Sequence, residues 1–192
     1  LPLVCAAAAL AALGVLLSQV LDHRLPGDGV AVPEYVVQDL LPVNEWSRPG
    51  TPLEEINGVV IHYVGNPGTT AQQNRDYYAQ ETTSVSSHFV VGLEGEIIQC
   101  VPLNEKSSAS NDRNRDTLSI ETCHPDDTGV FTGETYDSLV RLTAYLCDLC
   151  GFDSSRVIRH YDVTGKECPR WFVQDEAAWT GFLADVDAAR TK

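Results

Sequence analysis

The chain has 192 residues, 43% hydrophobic and 21% charged, the balance of a folded domain with one full core rather than of a disordered chain. Its formal net charge is −14 and its pI about 4.5. No nucleic-acid partner is expected, because duplex binding rests on a basic surface that neutralises phosphates, and an acidic surface has no attraction for anionic lipid.

Residues 1–21 form one uncharged apolar run. At about 1.5 Å per residue, a helix of this length just spans a bilayer core. We expect an N-terminal apolar helix acting as a signal-anchor, with a secretory signal peptide as the competing reading. The run exceeds a usual signal core, and no small-x-small cleavage pattern precedes Asp22. Val4 fits poorly before a lipid-modified Cys5, and a buried core helix is the bland alternative. There is no initiator Met and no basic n-region, so the natural start is expected upstream. Every export reading places the remaining chain outside the cytoplasm, either anchored at the membrane or secreted. Residues 22–49 read as a linker that becomes an arm, broken by Pro26, Gly27, Gly29 and Pro33, with 34–41 extended against the domain. Residues 50–192 are the expected globular domain.

Within that domain, Asn57-Gly58 is a turn and 59–64 a short buried strand. Thr69-Thr70-Ala71-Gln72 has the form of a capping box and predicts a helix over 71–81. A hairpin follows, with strands over 87–91 and 96–101 and a turn at Glu94-Gly95. Residues 104–116 are polar and read as a long loop of the kind that borders a functional cleft. The stretch 118–123 alternates, placing Leu118, Ile120 and Thr122 on one face and Ser119, Glu121 and Cys123 on the other. Apolar residues recur at helical spacing over 135–150, where Gly151 is the C-cap, and again over 175–189. Strands interleaved with three helices indicate an α/β domain with a mixed β-sheet.

The segment that organises the chemistry is 157–172. Val157 and Ile158 lead to His160, and Cys168 follows in a segment that Gly165 and Pro169 mark as a loop. His and Cys are the side chains that bind zinc best, and a catalytic zinc needs three protein ligands and one open position. His62, ending the apolar run 59–61, is the candidate third ligand. An amide hydrolase then needs a base and a cation beside the developing oxyanion. Glu121 is the candidate base and Lys166 the candidate cation, since a loop that brings Cys168 to a metal brings Lys166 with it. Each alone has a bland reading. A single His at a strand end is more often structural, Glu121 alone would be a solvated strand residue, and Lys166 alone would be a surface lysine. The set gains force only together.

Four separated motifs carry a resemblance: His62 after its strand; Ser87-His88-Phe89-Val90-Val91-Gly92 with Glu94-Gly95-Glu96; Leu118-Ser119-Ile120-Glu121; and Arg159-His160-Tyr161-Asp162-Val163-Thr164-Gly165-Lys166-Glu167-Cys168-Pro169. In order and spacing these resemble the type-2 N-acetylmuramoyl-L-alanine amidase family over roughly residues 50–185. The resemblance implies a mixed sheet flanked by helices, with Zn2+ in a surface groove held by His62, His160 and Cys168. It implies that Glu121 activates water and Lys166 stabilises the oxyanion. The substrate it implies is peptidoglycan or a muropeptide, cut at the amide between N-acetylmuramic acid and L-alanine. Some relatives use a tyrosine just before the position of His88; Ser87 stands there, which puts the proton relay on Glu121. His88 is expected to be a structural or groove residue, and His124 a loop histidine or a substrate contact.

Three other functions compete. A non-catalytic peptidoglycan-binding module is the alternative, and relatives of that kind generally lack the cysteine at position 168. A cysteine hydrolase with Cys168 as nucleophile and His160 as base would leave His62 without a role. A thiol oxidoreductase built on Cys147 and Cys150 fails because that pair falls late in a helix rather than at a helix start, where thiolates are stabilised. Packing or a disulfide is the expected role of those two cysteines, and Cys100 with Cys123 is a second candidate pair. The connectivity is open.

Overall fold

A computed structural model describes residue 25 and residues 31–191. The expected N-terminal helix over 1–21 lies outside the described residues. Among the described residues, no helix is long and apolar enough to cross a membrane.

Six strands form one mixed sheet: β1 (Val36–Gln38), β2 (Val59–Ile61), β3 (Phe89–Val91), β4 (Ile97–Gln99), β5 (Leu118–Thr122) and β6 (Val157–Arg159), in the order β1-β4-β3-β5-β2-β6. Only β3 and β4 pair antiparallel; they are the expected hairpin, shorter than its sequence pattern at both ends. The central strands are buried on both faces, which is why 59–61 and 89–91 are uninterrupted apolar runs rather than alternating ones. The arm supplies β1, which pairs parallel with β4 at the sheet edge.

Among the described residues, five α-helices accompany the sheet: α1 (Ala71–Tyr78), α2 (Gly133–Cys150), α3 (His160–Thr164), α4 (Arg170–Gln174) and α5 (Glu176–Ala189). The capping box of α1 is closed by Thr70 and Gln73, one residue later than the sequence suggests. This helix stops at Tyr78 rather than 81, because the Gln80-Glu81-Thr82-Thr83 that follows turns back on itself through a Thr83 N–H to Gln80 carbonyl bond. Thr132 caps α2 and Gly151, left-handed at φ 73°, ends it. Asp175 caps α5 through the Ala178 N–H.

One face of the sheet packs Val59, Ile61, Leu118 and Ile120 against α2, α4 and α5, with Phe172 and Phe182 fully buried and stacked at 5.1 Å. The opposite face carries a smaller cluster of Val90, Ile98, Cys100 and Cys123 under α1, with Tyr78 among its buried members. The described cysteines are all free thiols, so neither candidate pair, Cys147 with Cys150 or Cys100 with Cys123, is joined.

The register sets up everything that follows. Ile61 is paired with Ile120 on one side and with Arg159 on the other, both parallel. One step further along, His62 lies between Glu121 and His160 at the carboxyl ends of three adjacent strands. Because side chains alternate, and Ile61 and Ile120 face the large core, His62 and Glu121 face the other way. Ligand sites of open α/β sheets lie at such carboxyl ends.

Candidate metal centre

His62 is held in line by its backbone N–H, which donates to the Ile120 carbonyl at 2.9 Å. His160 opens α3, where the sequence suggested a loop. The helix forms because Asp162 accepts the Arg159 N–H at 2.8 Å and Gly165, left-handed at φ 76°, closes the turn onto the Tyr161 carbonyl. The chain then doubles back, and the Tyr161 N–H donates to the Cys168 carbonyl at 2.9 Å, which seats Cys168 beside the start of α3.

The donor atoms of His62, His160 and Cys168 all lie within 4.8 Å of one another, and the three residues are buried. The rings of His62 and His160 are 4.5 Å apart between centroids, and His62 Nδ1 is 4.0 Å from Cys168 Sγ. The far nitrogens are occupied elsewhere. His62 Nε2 sits 3.0 Å from Ser110 Oγ, and His160 Nε2 sits 3.0 Å from Asn111 Oδ1. His160 Nδ1 is buried with no hydrogen-bond partner.

Electrostatics describe a pocket prepared for a cation. Burial, then His160 and Lys166, hold His62 well below the usual histidine range, and burial with Lys166 lowers His160 as well. Both rings are therefore neutral, the form that binds metal. Burial, reinforced by Glu121, pushes the Cys168 thiol up to about 12. Burial likewise pushes the Glu121 carboxyl up to about 8, against an opposing pull from Lys166. Glu121 Oε1 comes within 3.8 Å of His62 Nδ1, but with the ring neutral this is a contact rather than a salt bridge. Glu121 Oε2 is a second buried oxygen without a partner.

Two neutral imidazoles, one of them with an orphaned ring nitrogen, and one thiol, with donor atoms within 4.8 Å of one another, fit zinc. A tetrahedral zinc with bonds of about 2.0–2.3 Å spaces its ligand atoms roughly 3.5 Å apart, so small side-chain rotations suffice to close this set.

The three residues floor a groove of about 490 Å³ that Glu121 and Lys166 also line, so all five expected site residues are brought together. Ser108, Ala109, Asn111 and Asn114 of the polar loop form one wall, and Tyr77, Tyr78 and Val85 line it too. Sequence reasoning missed Ser110 and Asn111, because no spacing in a polar loop announces a contact made in three dimensions. His88 takes no part. It is fully buried, with Nδ1 on the Ser119 backbone N–H at 3.0 Å and Nε2 on the Glu105 carbonyl at 2.9 Å. His124 is likewise spent on backbone, its ring nitrogens lying 2.7 and 2.8 Å from the Asp126 and Val64 carbonyls.

Fold and donor set together define an α/β domain with a candidate transition-metal centre at the carboxyl ends of a largely parallel sheet. Residues 52–171, more than half of the chain, match the family model described as N-acetylmuramoyl-L-alanine amidase. The chain belongs to that family. It is 33% identical over 170 residues to the N-acetylmuramoyl-L-alanine amidase CwlL of Bacillus licheniformis, a match covering 80% of this chain and 47% of that one. It thus spans about half the length of the curated relatives it matches. Among solved structures, the catalytic domain of XlyA superposes with a TM-score of 0.69 at 28% identity, covering 79% of this chain and 98% of that one. The structure of PlyL shares the fold, with a TM-score of 0.70 at 20% identity over 81% of this chain and 99% of that one.

Proposed function

We propose that residues 50–192 form a zinc amidase that hydrolyses the amide between N-acetylmuramic acid and L-alanine in peptidoglycan. The observation that carries this reading is the convergence of His62, His160 and Cys168 on one point, at the floor of a groove that also holds Glu121 and Lys166. Family membership supplies the substrate class.

Zinc, when bound by these three residues, supplies Lewis acidity that acidifies water and polarises a carbonyl. The remaining chemistry belongs to the chain. Glu121 takes the proton of the attacking water and returns it to the amide nitrogen as the C–N bond breaks. Burial raises its proton affinity, which suits a group that must both accept and donate near neutral pH. Lys166 is exposed at the rim and lines the groove, where its ammonium stabilises the negative charge that develops on the carbonyl oxygen. Tyr77 and Val85, both large and exposed, give one wall apolar surface for a sugar face or an alanine methyl. A cysteine hydrolase is disfavoured, since a buried thiol pushed up to about 12 is a poor nucleophile.

The same reading places the enzyme outside the cytoplasm, held at the membrane by residues 1–21 or released from them. The test is amide release from purified muropeptide, measured with zinc content on the same sample. Protein that binds muropeptide but releases no peptide would leave only the recognition-module alternative.

A further inference from the structure

We infer that Asn111 is a positioning residue that sets the tautomer and ring angle of His160, while Ser110 holds only the ring angle of His62. The inference rests on the zinc reading above and extends it to residues outside the ligand set.

An amide Oδ1 can only accept, so its 3.0 Å contact makes His160 Nε2 the protonated nitrogen. The lone pair is then on Nδ1, the buried atom that has no partner. Orientation of a metal-ligating histidine through its second nitrogen is a general way of raising ligand competence. Ser110 Oγ, 3.0 Å from His62 Nε2, can donate or accept, so it holds the ring but leaves the tautomer free. The two contacts are adjacent in sequence and come from one loop. That loop is itself pinned, because Asn114 Oδ1 accepts the N–H groups of Ala109 at 3.0 Å and Ser110 at 2.6 Å. Asn111 has φ 54°, the left-handed region that asparagine and glycine tolerate and other side chains resist. Both its backbone and its amide therefore suit the position. Asn111 is exposed, so its replacement need not disturb the core.

The test uses the full chain purified in mild detergent, with Asn111→Gly, which keeps the left-handed backbone and deletes the amide, and Asn111→Asp, which keeps an acceptor. In the metal-free protein, ring 15N chemical shifts should show His160 as the Nε2–H tautomer in wild type and Asn111→Asp, and as a mixture in Asn111→Gly. Zinc affinity, by competition with a chromophoric chelator, should fall about 10- to 100-fold in Asn111→Gly and stay within about 3-fold of wild type in Asn111→Asp. The visible spectrum of the cobalt-substituted protein should shift in the glycine variant alone. Wild-type His160 found as the Nδ1–H tautomer, or a glycine variant that binds zinc as wild type does, would overturn the assignment. Wild type that shows the expected tautomer and takes no zinc would sink the zinc reading and the ligand-positioning role, leaving only the hydrogen bond.

Discussion

Nδ1 of His62 and Oε1 of Glu121 lie 3.8 Å apart across the β2–β5 register, and burial shifts both groups toward their neutral forms. Burial lowers the ring's proton affinity and raises that of the carboxyl to about 8, against an opposing pull on the carboxyl from Lys166. In the proposed mechanism this pair is a metal ligand beside the base.

Glu121→Gln keeps the shape and removes the proton acceptor. Amide cleavage should fall about 100- to 10,000-fold in kcat while zinc content stays near one per chain. Metal analysis and single-turnover kinetics on the same preparation check this. Loss of zinc with activity would recast Glu121 as a ligand.

Lys166→Ala should lower kcat about 100- to 1,000-fold with little change in KM, because its charge meets the substrate only as the oxyanion develops. A rise in KM at unchanged kcat would make Lys166 a binding residue instead.

Cys168→Ser replaces a soft anionic donor with a poor one, and zinc affinity should drop by roughly 100-fold or more. Uptake of zinc by wild type should release a proton from the thiol that burial holds up to about 12, seen as acidification in weak buffer. The serine variant should lack that release.

His88 gives the fold an acid limit. Burial pulls its pKa from 6.5 down to about 4, so between those values the unfolded chain binds the proton more tightly than the folded one. Its contribution is complete above pH 6.5 and is lost as pH falls through about 4, a drop on the order of 3 kcal/mol. Urea denaturation of the metal-free protein at pH 7, 5.5 and 4 should trace that drop. A His88→Gln variant should be less stable at pH 7 and show a shallower slope over the same range.

How much of this was legible beforehand follows from where each residue sits. His62 stands out because it ends an apolar strand run, and Glu121 because the stretch 118–123 alternates, so its face could be assigned. His160 and Cys168 were readable as a pair, but the five-residue α3 between them was not, since Gly165 and Pro169 signal a loop and a single turn of helix has no period to detect. α4 escaped for the same reason. The parallel pairing of β2 with β5 and β6, which makes the site, joins residues far apart in the chain, and a lone sequence carries no trace of it. Ser110 and Asn111 are polar residues in a polar loop, and only the tertiary contact distinguishes them from their neighbours. His88 shows the opposite case. It lies in the motif that carries the family resemblance, and the structure spends both its nitrogens on Ser119 and Glu105.

The most direct test of the central claim is muropeptide amide release by the purified protein as isolated, after chelation, and after zinc return, with metal measured each time. About one zinc per chain, activity lost on chelation and restored by zinc, is the result this account requires. Undiminished cleavage by metal-free protein would contradict it.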